Sequence, residues 1–309
     1  MSATALLFPG QGAQKVGMGG DFVARHAAAR ELFARADEVL GRDLSRVCLE
    51  GPEDELTLTR NCQPGIYLTG AAIVAVMEAE GKLDRDRIAA TAGLSLGEYT
   101  ALWYAGAFDF EDGLRLVERR GAYMQDASDD PPSGMVSLLG ADLAQAEAVA
   151  DAAAQGEVLS VANLLSPGQI VLSGTLAAVE RAVGVAKEMG IRRAIPLKVA
   201  GAFHSALMEP AARRLAADLA EIDIRDPRIP VAGNVGGELM RDAATIRRCL
   251  EAQVTSPVQW EGAMRALVAA GIGHVLEPGP GKVLTGLMKK IAPEVTSGNV
   301  DVVADLEAL

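Results

Sequence analysis

Short apolar runs alternate with segments of helical periodicity along almost the whole chain, and this alternation confines the fold to the α/β class. Ala5 to Phe8 is expected to be a first strand, closed by the turn Pro9-Gly10-Gln11-Gly12. The segment Phe22 to Leu40 places Leu32, Phe33, Ala36, Val39 and Leu40 on one helical face and stops at Gly41, where a left-handed residue ends many helices. Further buried strands are expected at Ile88 to Gly93, Ile229 to Ala232 and His274 to Leu276. With 309 residues, 50% of them apolar, the chain can build one large domain or two unequal ones.

The order changes between residues 128 and 198. Met135 to Leu139 reads as a strand, Leu143 to Ala154 as a helix, Val158 to Ala162 and Gln169 to Leu172 as two strands, Leu176 to Met189 as a helix, and Arg193 to Val199 as a strand. That succession, βαββαβ, is the split βαβ unit of ferredoxin-like domains. The turn-rich stretch from Asp126 to Gly134 marks a boundary. A small domain, 128–198, is therefore expected to interrupt a larger one made of 1–127 and 199–309, with a substrate cleft between them.

The formal charge of -12, from 41 acidic and 29 basic residues, argues against nucleic-acid binding, which needs a basic face. Cys48, Cys62 and Cys249 are widely spaced, so neither a disulfide framework nor a structural zinc site fits. Neither a leader of secretory type nor a long uninterrupted apolar stretch is evident, so a soluble, cytoplasmic protein without membrane contact is expected. Two nucleotide motifs fail: Lys15 stands where GxGxxG needs its last glycine, and Gly281-Lys282 is followed by Val283 where a P-loop needs Ser or Thr. No His, Cys or carboxylate cluster has metal-ligand spacing, and no metal or resident cofactor is expected.

Gly93-Leu94-Ser95-Leu96-Gly97 has the form GxSxG, follows an expected strand and opens an expected helix, Glu98 to Ala105, which is the setting of a nucleophile elbow. A serine hydroxyl needs a base, and histidine is the usual one. His26 reads as a solvated helix residue. His204, in Gly201-Ala202-Phe203-His204-Ser205, stands where the chain re-enters the large domain at the cleft, which favours it. His274 is its rival, because the order serine, acid, histidine is that of an α/β-hydrolase. Of Arg119 and Arg120, one is expected to be surface charge and the other to offer a planar fork to a carboxylate. The N–H groups of the Gly10-Gln11-Gly12 turn and of Leu96 could hold an oxyanion.

Taken together, these segments resemble the malonyl-CoA:acyl carrier protein transacylases of type II fatty acid synthesis. The resemblance spans almost the whole chain and is carried by Phe8 to Gln14, Gln63-Pro64, Ser95 to Ala101, Arg120 to Gln125, Ser166 to Gln169, Phe203 to Met208, Pro257 to Trp260 and Glu277 to Thr285. It implies an α/β-hydrolase-like domain with a ferredoxin-like insertion. It further implies Ser95 as the acylated nucleophile, His204 as its base, and a main-chain carbonyl at Gln253 that orients the histidine. Arg120 would pair with the malonyl carboxylate, the N–H groups of Gln11 and Leu96 would form the oxyanion hole, and Phe203 would restrict substituents at malonyl C2. The partners implied are malonyl-CoA and a carrier protein bearing phosphopantetheine; coenzyme A enters as a substrate, and a monomer is expected. Carrier proteins of such systems are acidic, so Lys187, Arg192 and Arg193, or Lys282, Lys289 and Lys290, are candidate docking residues.

Two positions depart from the family pattern. Leu94 stands where histidine usually precedes the nucleophile, and Asn163-Leu164-Leu165 replaces a common Asn-x-Asn, removing a polar contact near the cleft. Three other readings compete. A serine hydrolase or thioesterase would use His274 as base and ignore Arg120. An idle acyl-binding scaffold would need none of Ser95, His204 and Arg120 together. An acyltransferase of a polyketide or malonate-decarboxylating system would share the chemistry and differ in its carrier.

Overall fold

The computed structural model describes residues 3–129 and 131–309. Among the described residues, ten strands form two sheets. The larger holds β1 (Ala3–Phe8), β2 (Ile88–Gly93), β7 (Val231–Ala232), β8 (Leu239–Met240), β9 (Ile272–Pro278) and β10 (Thr296–Val300) in the order β10-β9-β1-β2-β7-β8. All its ladders are parallel except β7 with β8. Both faces are covered: along β1, Leu6 and Phe8 join a core with helix Thr59–Ala79, while Ala5 and Leu7 join a second core with Trp260, Met264 and Met288. Continuous apolar strands are what a parallel sheet buried on two sides requires.

The smaller sheet is antiparallel and holds β3 (Ser133–Leu139), β4 (Leu159–Ser166), β5 (Gln169–Thr175) and β6 (Arg193–Pro196) in the order β4-β5-β3-β6. With helices Leu143–Ala154 and Leu176–Glu188 it is ferredoxin-like, over its own core of Val136, Leu138, Leu172, Ala146 and Val179. The large unit is α/β-hydrolase-like, and the whole is the α/β architecture that the alternating pattern implies.

Several local expectations are corrected. The helix expected over Phe22 to Leu40 is two, Gly20–Arg25 and Ala27–Leu40, because His26 is extended at φ -122 and ψ 130. His26 is not a solvated helix residue either: its ring lies 6.2 Å from that of Phe22, and its Nδ1 pairs with Glu80 at 3.1 Å. The strand expected from Ile229 is shortened to Val231–Ala232, since Pro230 has no N–H to give the ladder. The strand expected to reach Val199 ends at Pro196, although the Leu197 N–H still donates to the Met135 carbonyl at 2.9 Å. Among the described residues, no helix is long and apolar enough to cross a membrane.

Candidate active site

The parallel strands deliver their loops to one edge: β1 runs into Gly10-Gln11, β2 into Leu94-Ser95, and β7 toward Asn234. Open α/β sheets bind ligands at this carboxyl edge. Ser95 sits in left-handed backbone at φ 52, on a turn too tight for side chains beside it. A side-chain carbon on Gly93 would lie 1.9 Å from the Gly97 carbonyl carbon, and one on Gly97 would lie 2.1 Å from the Phe8 carbonyl oxygen. Both glycines of the motif are therefore required by close approach. Helix Gly97–Ala105 starts immediately, so the serine stands at the positive end of a helix dipole.

His204 also has left-handed backbone, at φ 60, and is buried. Its Nδ1 donates to the Gln253 carbonyl at 2.9 Å, which leaves Nε2 as an acceptor. Ser95 Oγ donates to that Nε2 at 2.8 Å. Burial, with the Arg120 charge second, pushes His204 down to about 4, so the imidazole is a neutral base at physiological pH. Its direct partner at Nδ1 is this main-chain carbonyl and not a carboxylate.

Arg120, on helix Phe110–Ser128, is only 1% exposed. Its Nη2 donates to Ser95 Oγ and to Gln253 Oε1, each at 3.0 Å, and its Nη1 donates to Gln63 Oε1 at 2.7 Å. Its Nε has no acceptor among the described residues, and none of the ion pairs described there involves Arg120. A buried cation whose direct hydrogen-bond acceptors are all neutral suits an incoming carboxylate. Arg119 points outward and pairs with Asp218 at 2.7 Å, the surface role expected of one of the two.

Gln11 and Phe203 line the cavity in front of Ser95 and His204, which measures about 160 Å³. Its remaining wall is largely apolar: Leu94 and Val199 with Met135, Leu165, Val171 and Leu197 of the small unit, Asn163 being its one further polar side chain. The cleft thus opens where the two sheets meet. The N–H groups of Gln11 and Leu96 have no hydrogen-bond acceptor among the described residues. His274 is remote, near the start of β9, with Nδ1 against Thr296 Oγ1 at 2.8 Å. It cannot serve Ser95.

Three residues of the site were not assigned a role from the sequence. Asn234 accepts the Ser95 N–H through Oδ1 at 2.6 Å and donates from Nδ2 to the Gly93 carbonyl at 2.7 Å. In Gly233-Asn234-Val235 it reads only as a turn residue. Gln63 is one of two amides holding Arg120. Glu98 is fully buried, and its signal was its position as the one charge in a helix otherwise apolar or neutral.

A serine on a strand-to-helix elbow, hydrogen-bonded to a buried neutral histidine, can carry an acyl group as an ester. The chain belongs to the acyl transferase family, whose domain profile matches residues 5–304. The malonyl CoA-acyl carrier protein transacylase of Salmonella typhimurium is 42% identical over 309 residues, covering 100% of this chain and 99% of the relative. An acyl carrier protein S-malonyltransferase from Vibrio cholerae superposes with a TM-score of 0.94 at 42% identity, over 99% of each chain. A malonyl-transacylase in complex with its type II PKS acyl-carrier protein superposes with a TM-score of 0.95 at 39% identity, over 99% of this chain and 98% of that one.

Proposed function

We propose that this chain transfers a malonyl group from malonyl-CoA to the pantetheine thiol of an acyl carrier protein, through a malonyl ester of Ser95, in fatty acid synthesis. The observation that carries the reading is the position of Ser95 Oγ, within hydrogen-bond reach of both His204 Nε2 and the buried Arg120 fork. His204 takes the hydroxyl proton as Oγ attacks the thioester carbonyl. The N–H groups of Gln11 and Leu96 hold the oxyanion, and the thiolate of coenzyme A leaves with the proton from His204. The carrier thiol then repeats the sequence on malonyl-Ser95. Once esterified, Ser95 Oγ is a poorer acceptor, which releases Arg120 Nη2 to the malonyl carboxylate. Phe203 crowds malonyl C2. Side chains and the thioester supply the whole chemistry, so no resident cofactor or metal takes part. Initial rates against both substrates should give parallel double-reciprocal lines; intersecting lines would indicate a ternary complex without an acyl-enzyme.

Leu94 replaces no reacting group, since it packs in the apolar wall and leaves the Ser95–His204 contact intact. Leu94→His should therefore change turnover by less than about tenfold, the equivalent of ~1.4 kcal/mol. A gain of several orders of magnitude in that variant's steady-state rate would sink this account of Leu94.

The two candidate docking patches adjoin. Lys290 Nζ reaches Gln169 Oε1 at 3.1 Å, Gln169 pairs with Leu139, and Leu139 pairs with Arg193 on the next strand. Lys187, Arg192, Arg193, Lys282, Lys289 and Lys290 are all exposed. This end of the small sheet is proposed to receive the acidic carrier protein despite the net charge of -12. The double variant Lys289→Glu/Lys290→Glu should raise the carrier KM roughly tenfold at low salt, with the difference shrinking as salt screens it. Serine loading by malonyl-CoA should be unchanged, and an unaltered carrier KM would remove the patch from consideration.

A further inference from the structure

We propose that Glu98 is a positioning residue for the reaction assigned above: through Asn234 and Gln253, its carboxylate sets the geometry of Ser95, His204 and Arg120 together. Glu98 lies in the first turn of helix Gly97–Ala105 with no exposed surface. Oε1 accepts the Asn234 N–H at 2.8 Å, and Oε2 accepts from Gln253 Nε2. Asn234 is the residue that fixes the Ser95 backbone N–H. Gln253 does more: its carbonyl holds His204 Nδ1, its Oε1 holds Arg120, and its Nε2 also donates to the Ser95 carbonyl at 2.9 Å. One carboxylate is thus a single intermediary away from all three reacting groups.

Ionised Glu98 can only accept, so it forces Gln253 to present its NH2 group inward and its Oε1 to Arg120. Protonated Glu98 presents an O–H to that NH2 group. One of the two must turn, and if the amide flips, its NH2 meets the Arg120 guanidinium, donor against donor. The charged or titratable groups facing Glu98 are Arg120 from helix Phe110–Ser128, Tyr99 from its own helix and Cys249 from helix Ala243–Gln253. Burial pushes Glu98 up to about 7, with Asn234, Gln253 and Arg120 pulling the other way. The aligned, ionised form is therefore lost as the pH falls through neutrality, whereas His204 is still neutral there.

The test follows labelling of Ser95 by a fluorophosphonate, in which Oγ attacks phosphorus, His204 takes the proton and fluoride departs. This reagent needs an activated serine and no carrier protein. Wild-type labelling should fall about tenfold per pH unit below the Glu98 transition. Glu98→Gln should be roughly 10- to 100-fold slower at about pH 8, since it mis-sets Gln253, and flat down to about pH 5. Glu98→Asp, which keeps a titrating group, should be slowed and retain an acid limb. An unchanged rate in Glu98→Gln, or a lower rate with the wild-type pH profile, would overturn the proposal, the latter by showing a merely structural residue. A wild type that is not labelled overturns the nucleophile assignment and this inference together. Labelling without malonyl transfer leaves Glu98 in place and overturns the substrate.

Discussion

Ser95→Ala should lower malonyl transfer by at least about 10⁴-fold, because members of a nucleophile–base unit fail together and non-additively. The hydroxyl is the one group of the Gly93-Leu94-Ser95-Leu96-Gly97 elbow able to form an ester, and it is the donor hydrogen-bonded to His204 Nε2. The fold should survive. Alanine carries the same Cβ through the φ of 52, and the Ser95 N–H keeps its bond to Asn234. What is lost is one hydroxyl with two hydrogen bonds, on the order of 1–3 kcal/mol of stability. Malonyl-CoA should still bind, since Arg120 and the cavity wall remain. Steady-state transfer, a binding isotherm and a melting curve on the same preparation check all three. Residual turnover within about a hundredfold of wild type would mean that another group carries the acyl chain.

Arg120→Ala should produce the largest change in selectivity. Burying a carboxylate without its cation costs roughly 2–5 kcal/mol, which at ~1.4 kcal/mol per decade is about 30- to several thousand-fold in kcat/KM for malonyl-CoA. Acetyl-CoA has no carboxylate to strand, so its loading should change far less. The same substitution has an electrostatic signature. The Arg120 charge lowers both His204 and Glu98, so its removal lets both rise and moves the acid limb of the pH profile toward higher pH. Equal losses for malonyl-CoA and acetyl-CoA would show that Arg120 shapes the site without reading the carboxylate.

Much of this site was legible in the sequence because its backbone demands are local. Gly93 and Gly97 announce the elbow, since only glycine tolerates 1.9 and 2.1 Å approaches, and the βαββαβ succession announces the small sheet. The choice of His204 over His274 followed from where the chain re-enters the large unit, and the geometry agrees. Illegible were the residues that act at long sequence separation through single hydrogen bonds. Asn234 meets Ser95 across 139 positions and Gln253 meets Glu98 across 155, and no local pattern encodes either pairing. The break at His26 was missed because helical periodicity continues through it. Leu94 and Leu165, the two departures from the family pattern, prove to share the apolar wall of one cavity.

The most direct measurement is the intact mass of the protein after mixing with malonyl-CoA, and again after adding the holo carrier protein. A single malonyl adduct, absent in Ser95→Ala and surrendered to the carrier with matching gain in the carrier's mass, is the predicted result. Release of coenzyme A with no adduct and no gain by the carrier would contradict it, and would make the chain a thioesterase.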